Sequence, residues 1–192
     1  MAEFYIICGQ TGVGKTTVAQ RLAEGRDNVT IVNFGETIFE LAKEAGLIET
    51  RDQLNRLWPD TVSWLQTKAT KSVAEKLSGK VILDMHVTVH TPAGYIAGMP
   101  RRMMEQLNPK RLVLLEADPY EVVRRRMVGK EMKDVEESLK DIQEHADFDR
   151  AAAMSISVDV GTPIMIVKNE DLEKTIIQLS NLLDEEGALG PP

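Results

Sequence analysis

Gly9-Gln10-Thr11-Gly12-Val13-Gly14-Lys15-Thr16 follows five residues, Glu3-Phe4-Tyr5-Ile6-Ile7, that read as a short strand. It precedes a segment, Thr17 to Glu24, that reads as a helix. The spacing is G-x-x-x-x-G-K-[ST], and the order strand, glycine loop, helix N-terminus is the context in which that spacing binds phosphate. Glycines let the loop turn its N–H groups inward as a concave nest for oxygen anions. The helix behind adds unpaired N–H donors and its positive dipole end. Lys15 then brings a full charge to the β/γ-phosphates, and the Thr16 hydroxyl is suited to Mg²⁺. The stretch from Gly9 through Thr17 is thus predicted to hold a nucleoside triphosphate with its Mg²⁺.

Outward from this loop, apolar runs alternate with helical patterns. Val29–Asn33, Lys80–Asp84, Arg111–Leu115 and Pro163–Val167 read as further strands. Helical patterns follow at Ile38, Leu41, Ala42 and Ala45, at Trp58–Leu77 behind the start signal of Pro59, at Pro119–Met127, from Asp134 to about Val160, and at Leu172–Leu183. Strands that are apolar throughout are buried on both faces, which implies a parallel sheet between helices. The prediction is an α/β P-loop NTPase fold: three layers, α/β/α, a five-stranded parallel sheet and a short lid. Ligands of such sheets lie at the carboxyl ends of the strands, where the glycine loop stands.

A chain of 192 residues fits one domain, residues 1–192, with roughly 70% of the extended surface buried. The formal net charge of −7 argues against a general polyanion binder, so no nucleic-acid partner is expected. One cysteine, Cys8, reads as a small buried apolar residue in a chain suited to a reducing, cytoplasmic setting. No apolar run has the length of a membrane span or signal. The tail, 186–192, is expected to fray.

Asp84 ends the third strand, where a carboxylate can hold Mg²⁺ through its waters. Beyond it, Met85 to Tyr95, with Gly98 and Pro100, reads as a long non-helical connection at the functional edge. Asp84, His86 and His90 lack the spacing of a transition-metal site, and a polar wall for a second substrate is the better reading. Val122 to Lys133 holds the densest positive patch. On a helix Arg126 falls between Val122, Val123 and Met127, so it points inward and calls for an anion. Arg124 and Arg125 read as an ordinary solvated helix end. Gly129 is placed to hinge a flap carrying Lys130 and Lys133. In the next helix Arg150 stands at the edge of the stripe Val135, Leu139, Ile142, Ala146, Ala153 and Val160; either Asp147 or Asp149 neutralises it, or it reaches bound phosphates.

With these residues assembled, the chain resembles an archaeal-type adenylate kinase over nearly its whole length. The likeness rests on Asn33-Phe34-Gly35, on Gly46-Leu47 leading to Arg51-Asp52-Gln53-Leu54, on Asp84-Met85-His86, and on Thr91-Pro92-Ala93-Gly94-Tyr95 with Gly98-Met99-Pro100. It continues through Leu107-Asn108-Pro109, Leu115-Glu116-Ala117-Asp118 and Arg150 with Ala152-Ala153. The resemblance implies reversible transfer, MgATP plus AMP to two ADP, in a homotrimer. It places AMP on the segment 33–80 and the loop after Asp84, with Asn33, Phe34, Gly35, Arg51, His86, Thr91, Gly94 and Tyr95 as contacts. Lys15, Arg126, Lys130 and Arg150 would serve catalysis, with a lid at about 127–135. Two departures stand out: the flap carries lysines where the family has arginines, and Asn55 stands where the family has another arginine, so Arg51 and Arg56 are both candidates for the AMP phosphate.

Two rival readings are weighed. One is another small-molecule kinase of this fold, acting on CMP, UMP or shikimate. The other is a nucleotide-hydrolysing switch or assembly ATPase; a second role in ribosome assembly, as some adenylate-kinase-like proteins have, is kept beside the kinase reading. A GTPase lacks support, because neither N-K-x-D nor a D-x-x-G after the third strand is present.

Overall fold

A computed structural model describes residues 2–91, 93–127 and 139–183, with His90 and Met127 described by backbone alone. Gly129, Lys130, Lys133, the lid beyond Met127, the helix start at Asp134, Pro92 and the tail 186–192 lie outside the described residues.

Strand β1 (Ala2–Cys8) runs through the middle of a five-stranded sheet of order β2-β3-β1-β6-β7. Its neighbours are β3 (Gly79–Met85) and β6 (Arg111–Glu116); β2 (Val29–Asn33) and β7 (Ile164–Lys168) form the edges. Every pairing in this sheet is parallel, as the continuous apolar runs required. Period-two alternation along β1 divides its side chains between two cores. Phe4, Ile6 and Cys8 join Val73 of α3 (Pro59–Lys76), Met104 of α4 (Arg101–Leu107) and Ala153 of α6 (Leu139–Val160). Tyr5 and Ile7 join Val18 and Leu22 of α1 (Lys15–Ala23), Val122 of α5 (Pro119–Met127) and Leu179 of α7 (Leu172–Leu179). α2 (Phe34–Glu44) packs Phe34 into the first core and Ala42 against Leu65 and Ile48 in a smaller third one.

The chain leaves β1 toward β2 and β3, then returns across β1 to β6 and β7. That reversal opens a crevice at the carboxyl end of β1, where the glycine loop sits.

Three elements differ from the sequence reading. The stretch after Asp84 contains an antiparallel hairpin, β4 (Thr88–Thr91) with β5 (Gly94–Ala97). Its tight approach needs Gly98: a Cβ there would meet the His86 carbonyl oxygen at 2.2 Å. Next, α4 forms behind Pro100 and buries Met103, Met104 and Leu107 before Asn108 ends it at φ +43°. Seven residues are too few for periodicity to stand out against a loop. Finally, α7 stops at Leu179, where Leu182 N–H bonds the Leu179 carbonyl and the chain turns. Leu182 and Leu183 still enter the core, which is why the apolar pattern outran the helix. Cys8 is fully buried, its thiol donating to the Val113 carbonyl at 3.4 Å, and burial pushes its pKa up to about 12.

Candidate active site

The glycine loop is held from outside by its carbonyls. Gly9, at φ +139°, passes so close to β6 that a Cβ would lie 2.3 Å from the Leu115 carbonyl oxygen. Arg126 on α5 donates Nε and Nη2 to the Thr11 carbonyl at 2.9 and 2.8 Å, and Nη2 to Gln10 Oε1 at 3.0 Å. The Val13 carbonyl accepts from Arg125 Nη1 at 3.1 Å and from Asn169 Nδ2 at 2.8 Å. Tying these carbonyls outward commits the loop to one conformation, the condition for a preorganised anion nest.

At the floor, Lys15 and Asp84 are both buried, with Lys15 Nζ 3.9 Å from Asp84 Oδ1. Lys15 also donates to the Gln10 carbonyl at 3.1 Å. Burial lowers the Lys15 pKa, and the Asp84 charge opposes that shift. Thr16 Oγ1 donates to Asp84 Oδ2 at 2.6 Å, and Asn33 Nδ2 reaches the same oxygen at 3.3 Å. A hydroxyl beside one carboxylate fits Mg²⁺, which takes few protein ligands and fills its octahedron with water and phosphate oxygens. Among the described residues there is no group of three or more His, Cys, Asp or Glu that could hold a metal ion.

A cleft of about 780 Å³ runs from Thr11, Lys15 and Thr16 across Asp84 to a chamber walled by Ile38, Leu57, Leu65 and Val89. Asn33, Phe34, Gly35, Arg51 and His86 line it. Asn33 also caps α2, its Oδ1 accepting from Glu36 N–H at 3.0 Å. Arg51 stands in the 3₁₀ turn Arg51–Arg56 and pairs with Glu36; Asn55 joins the lining, whereas Arg56 does not. Burial, with Lys15 second, pushes the His86 pKa down to about 3, so the imidazole is neutral at pH 7. One continuous space thus joins a triphosphate cradle to an apolar chamber with a cation at its rim.

Proteins similar in sequence cover nearly the whole chain. The chain is 40% identical to the adenylate kinase of Methanocaldococcus jannaschii over 93% of its own length and 96% of that protein's. The chain belongs to the adenylate kinase family. It is likewise 37% identical to the adenylate kinase of Thermococcus onnurineus, over 93% of this chain and 94% of that one. A family model described as an AAA domain matches residues 8–143. Two solved shikimate kinases share the fold: that of Acinetobacter baumannii in complex with shikimate (12% identical, TM-score 0.59, 95% of this chain and 93% of that one) and that of Bacteroides thetaiotaomicron (19%, 0.52, 94% and 98%). At such identity they speak for the architecture alone.

In this adenylate kinase family member several side chains stand elsewhere than the resemblance or the spacing implied. Thr91, Gly94 and Tyr95 are not among the residues lining the cleft. The Thr91 hydroxyl is turned into its own hairpin, donating to the Gly94 carbonyl at 2.8 Å. Tyr95 lies against His145 and Phe148 of α6 at ring separations of 5.0 and 5.1 Å. Arg125 is no solvated helix end: it grips the loop and borders the cleft, leaving only Arg124 exposed in its pair with Glu121. Arg150 pairs directly with neither Asp147 nor Asp149. It pairs with Glu116 at the end of β6, Nε donating to Oε1 at 2.8 Å. Asp149 is buried and instead accepts from Thr88 Oγ1 at 2.6 Å, with His145 Nε2 3.6 Å away. Asn169 was missed altogether, and no local pattern announces an asparagine that works 156 residues away.

Proposed function

We propose that this phosphotransferase catalyses the reversible, Mg²⁺-dependent transfer of the terminal phosphoryl group of ATP to AMP, giving two ADP. The observation that carries the reading is the single cleft in which the Lys15–Thr16 cradle and the Arg51-rimmed apolar chamber face each other across Asp84. Transfer demands in-line positioning and positive charge more than covalent chemistry. Gly9 to Thr17 grip the donor phosphates, and Lys15 stabilises charge as it builds on the moving group. Thr16 and Asp84 are the groups suited to Mg²⁺, which when bound neutralises charge on the phosphate oxygens. Asn33, Phe34, Gly35, Arg51 and His86 receive AMP. Arg126 and Arg150 are assigned to the transferring phosphoryl group; Arg150 now rests on Glu116, whose place a phosphate can take, while Arg126 acts from its seat on the Thr11 carbonyl. Lys130, a closing lid and a homotrimer belong to the same reading by family resemblance, and a cytoplasmic location by the single buried cysteine. Exposed Leu47, Trp58 and Trp64 supply apolar surface for association. Among the described residues no helix is long and apolar enough to cross a membrane.

Coupled measurement of ADP from ATP with AMP, CMP, UMP, GMP or shikimate tests the acceptor. The expected outcome is strong preference for AMP. Equal rates with the other acceptors overturn the choice, and hydrolysis without AMP stimulation points to a switch ATPase. Sedimentation velocity tests the trimer.

A further inference from the structure

Among the described residues of α6, Ile142, Asp149 and Ala153 are the buried ones. Asp149 is the polar member, and its carboxylate meets Thr88 at the start of β4. The Thr88 hydroxyl donates to Asp149 Oδ1 at 2.6 Å, the length of a bond to an ionised carboxylate. That spends the one hydrogen the hydroxyl has. The contact of the same oxygen with His145 Nε2, at 3.0 Å, therefore has the imidazole as donor. His145 and Asp149 stand one turn apart, so two successive turns of α6 grip a single hydroxyl. Burial raises the Asp149 pKa, and the Thr88 hydroxyl, then His145, oppose that rise.

This tie joins two parts of the cleft. His86 and Val89, on either side of Thr88, line it, and Arg150 follows Asp149 directly on α6. Apolar contacts such as those of Ile142 and Ala153 have no preferred direction and let a helix turn about its axis; a hydrogen bond of fixed length does not. A turn of about 10° carries a side-chain tip, some 5–6 Å from the axis, through about 1 Å. Misplacement by about 1 Å can cost about 10²-fold in rate.

We propose that Asp149 is a positioning residue for phosphoryl transfer: held by the Thr88 hydroxyl, it fixes the rotation of α6 and so the place of the Arg150 guanidinium against the acceptor wall. The inference rests on the assignment of Arg150 above. Asp149, Thr88 and His145 act through Arg150 and touch no substrate themselves.

The test is a cycle of variants of the full chain, with kcat and KM measured for ATP and AMP. It takes Thr88→Ser, Thr88→Val combined with Asp149→Leu, Arg150→Ala, and the last three substitutions together. Replacing both buried partners leaves neither unpaired, so the Thr88→Val, Asp149→Leu variant is expected to melt cooperatively. Its kcat is expected to fall severalfold or more, no further than in Arg150→Ala, with KM for ATP within about twofold. Thr88→Ser keeps the hydroxyl and is expected within about twofold of wild type. Added to Arg150→Ala, the pair of substitutions should lower kcat by less than about twofold, because a guanidinium that is gone cannot be misplaced. Wild-type kcat in the folded Thr88→Val, Asp149→Leu variant overturns the proposal. So do losses that multiply in the combined variant. If that variant does not fold, His145→Leu removes a donor from the same hydroxyl at a part-exposed side chain, and multiplying losses with Arg150→Ala again overturn the proposal. Each of these results leaves Arg150 in its role; normal kcat in Arg150→Ala removes that role and the positioning of it together.

Discussion

Lys15 carries its charge where almost no water reaches it, with the Asp84 carboxylate nearby and the Gln10 carbonyl as acceptor. Lys15→Ala is expected to cut kcat by about 10²-fold or more, because the lost charge acts on the transition state. Thr16 and Asn33 still bond Asp84, so the melting curve should remain cooperative. Unchanged turnover would remove the loop assignment. His86 gives a pH prediction. Its folded pKa, about 3, lies below the ordinary 6.5, so between those values the unfolded chain binds the extra proton. The stability it contributes is full above pH 6.5 and drains as pH falls toward 3. Wild type should therefore lose on the order of 2 kcal/mol more than His86→Gln between pH 7 and pH 5. Parallel pH slopes in urea titrations of the two proteins would show that the imidazole is not held neutral. Arg150 is half exposed, and its pair with Glu116 is worth at most about 1 kcal/mol. Arg150→Ala should shift Tm by no more than about 4 °C while kcat falls severalfold or more. A large melting shift with normal kcat would make the residue structural.

At the scale of elements, α5 and the β4–β5 hairpin shape the two ends of the cleft. α5 delivers Arg125 and Arg126 to the loop carbonyls, so the donor site depends on a helix more than a hundred residues downstream of it. The hairpin is pinned by Gln66 through Ala97 and Gly98, and by Asp149 through Thr88. Gly98 lets it fold back on His86, and Gly98→Ala has nowhere to put a methyl 2.2 Å from a carbonyl oxygen. That overpacking should cost about 1–3 kcal/mol. Because the displaced strand walls the acceptor side, KM for AMP should rise while KM for ATP holds. Equal rises in both constants would mean that the hairpin serves the fold as a whole.

For the molecule as a whole, the decisive property is one cleft spanning two nucleotides. A dinucleotide that bridges adenosines through a polyphosphate should bind one per chain and raise stability by about 2.7 kcal/mol at a hundredfold excess over Kd. That corresponds to a Tm increase of roughly 5–10 °C, larger than ATP or AMP alone gives at the same free concentration, measured by calorimetry. A bridged ligand no better than ATP would mean a single nucleotide site and a hydrolase.

The phosphate loop, the five parallel strands and a ligand site at their carboxyl ends were legible from residues 3–24 and the later apolar runs, because backbone turns and hydrophobic periodicity are local properties. Gln66, Arg125, Asn169 and the Glu116 partner of Arg150 were not. Each owes its role to a carbonyl or carboxylate brought near from 31 to 156 residues away, and a side chain's spacing along one helix cannot say which distant oxygen the fold will set before it. Chain order alone thus determined that a glycine-rich phosphate-binding motif stands at the carboxyl end of β1. Only tertiary packing decided which cations face it and which stay turned to the backbone, since hydrogen bonds at about 3 Å are set by where neighbouring elements finally pack.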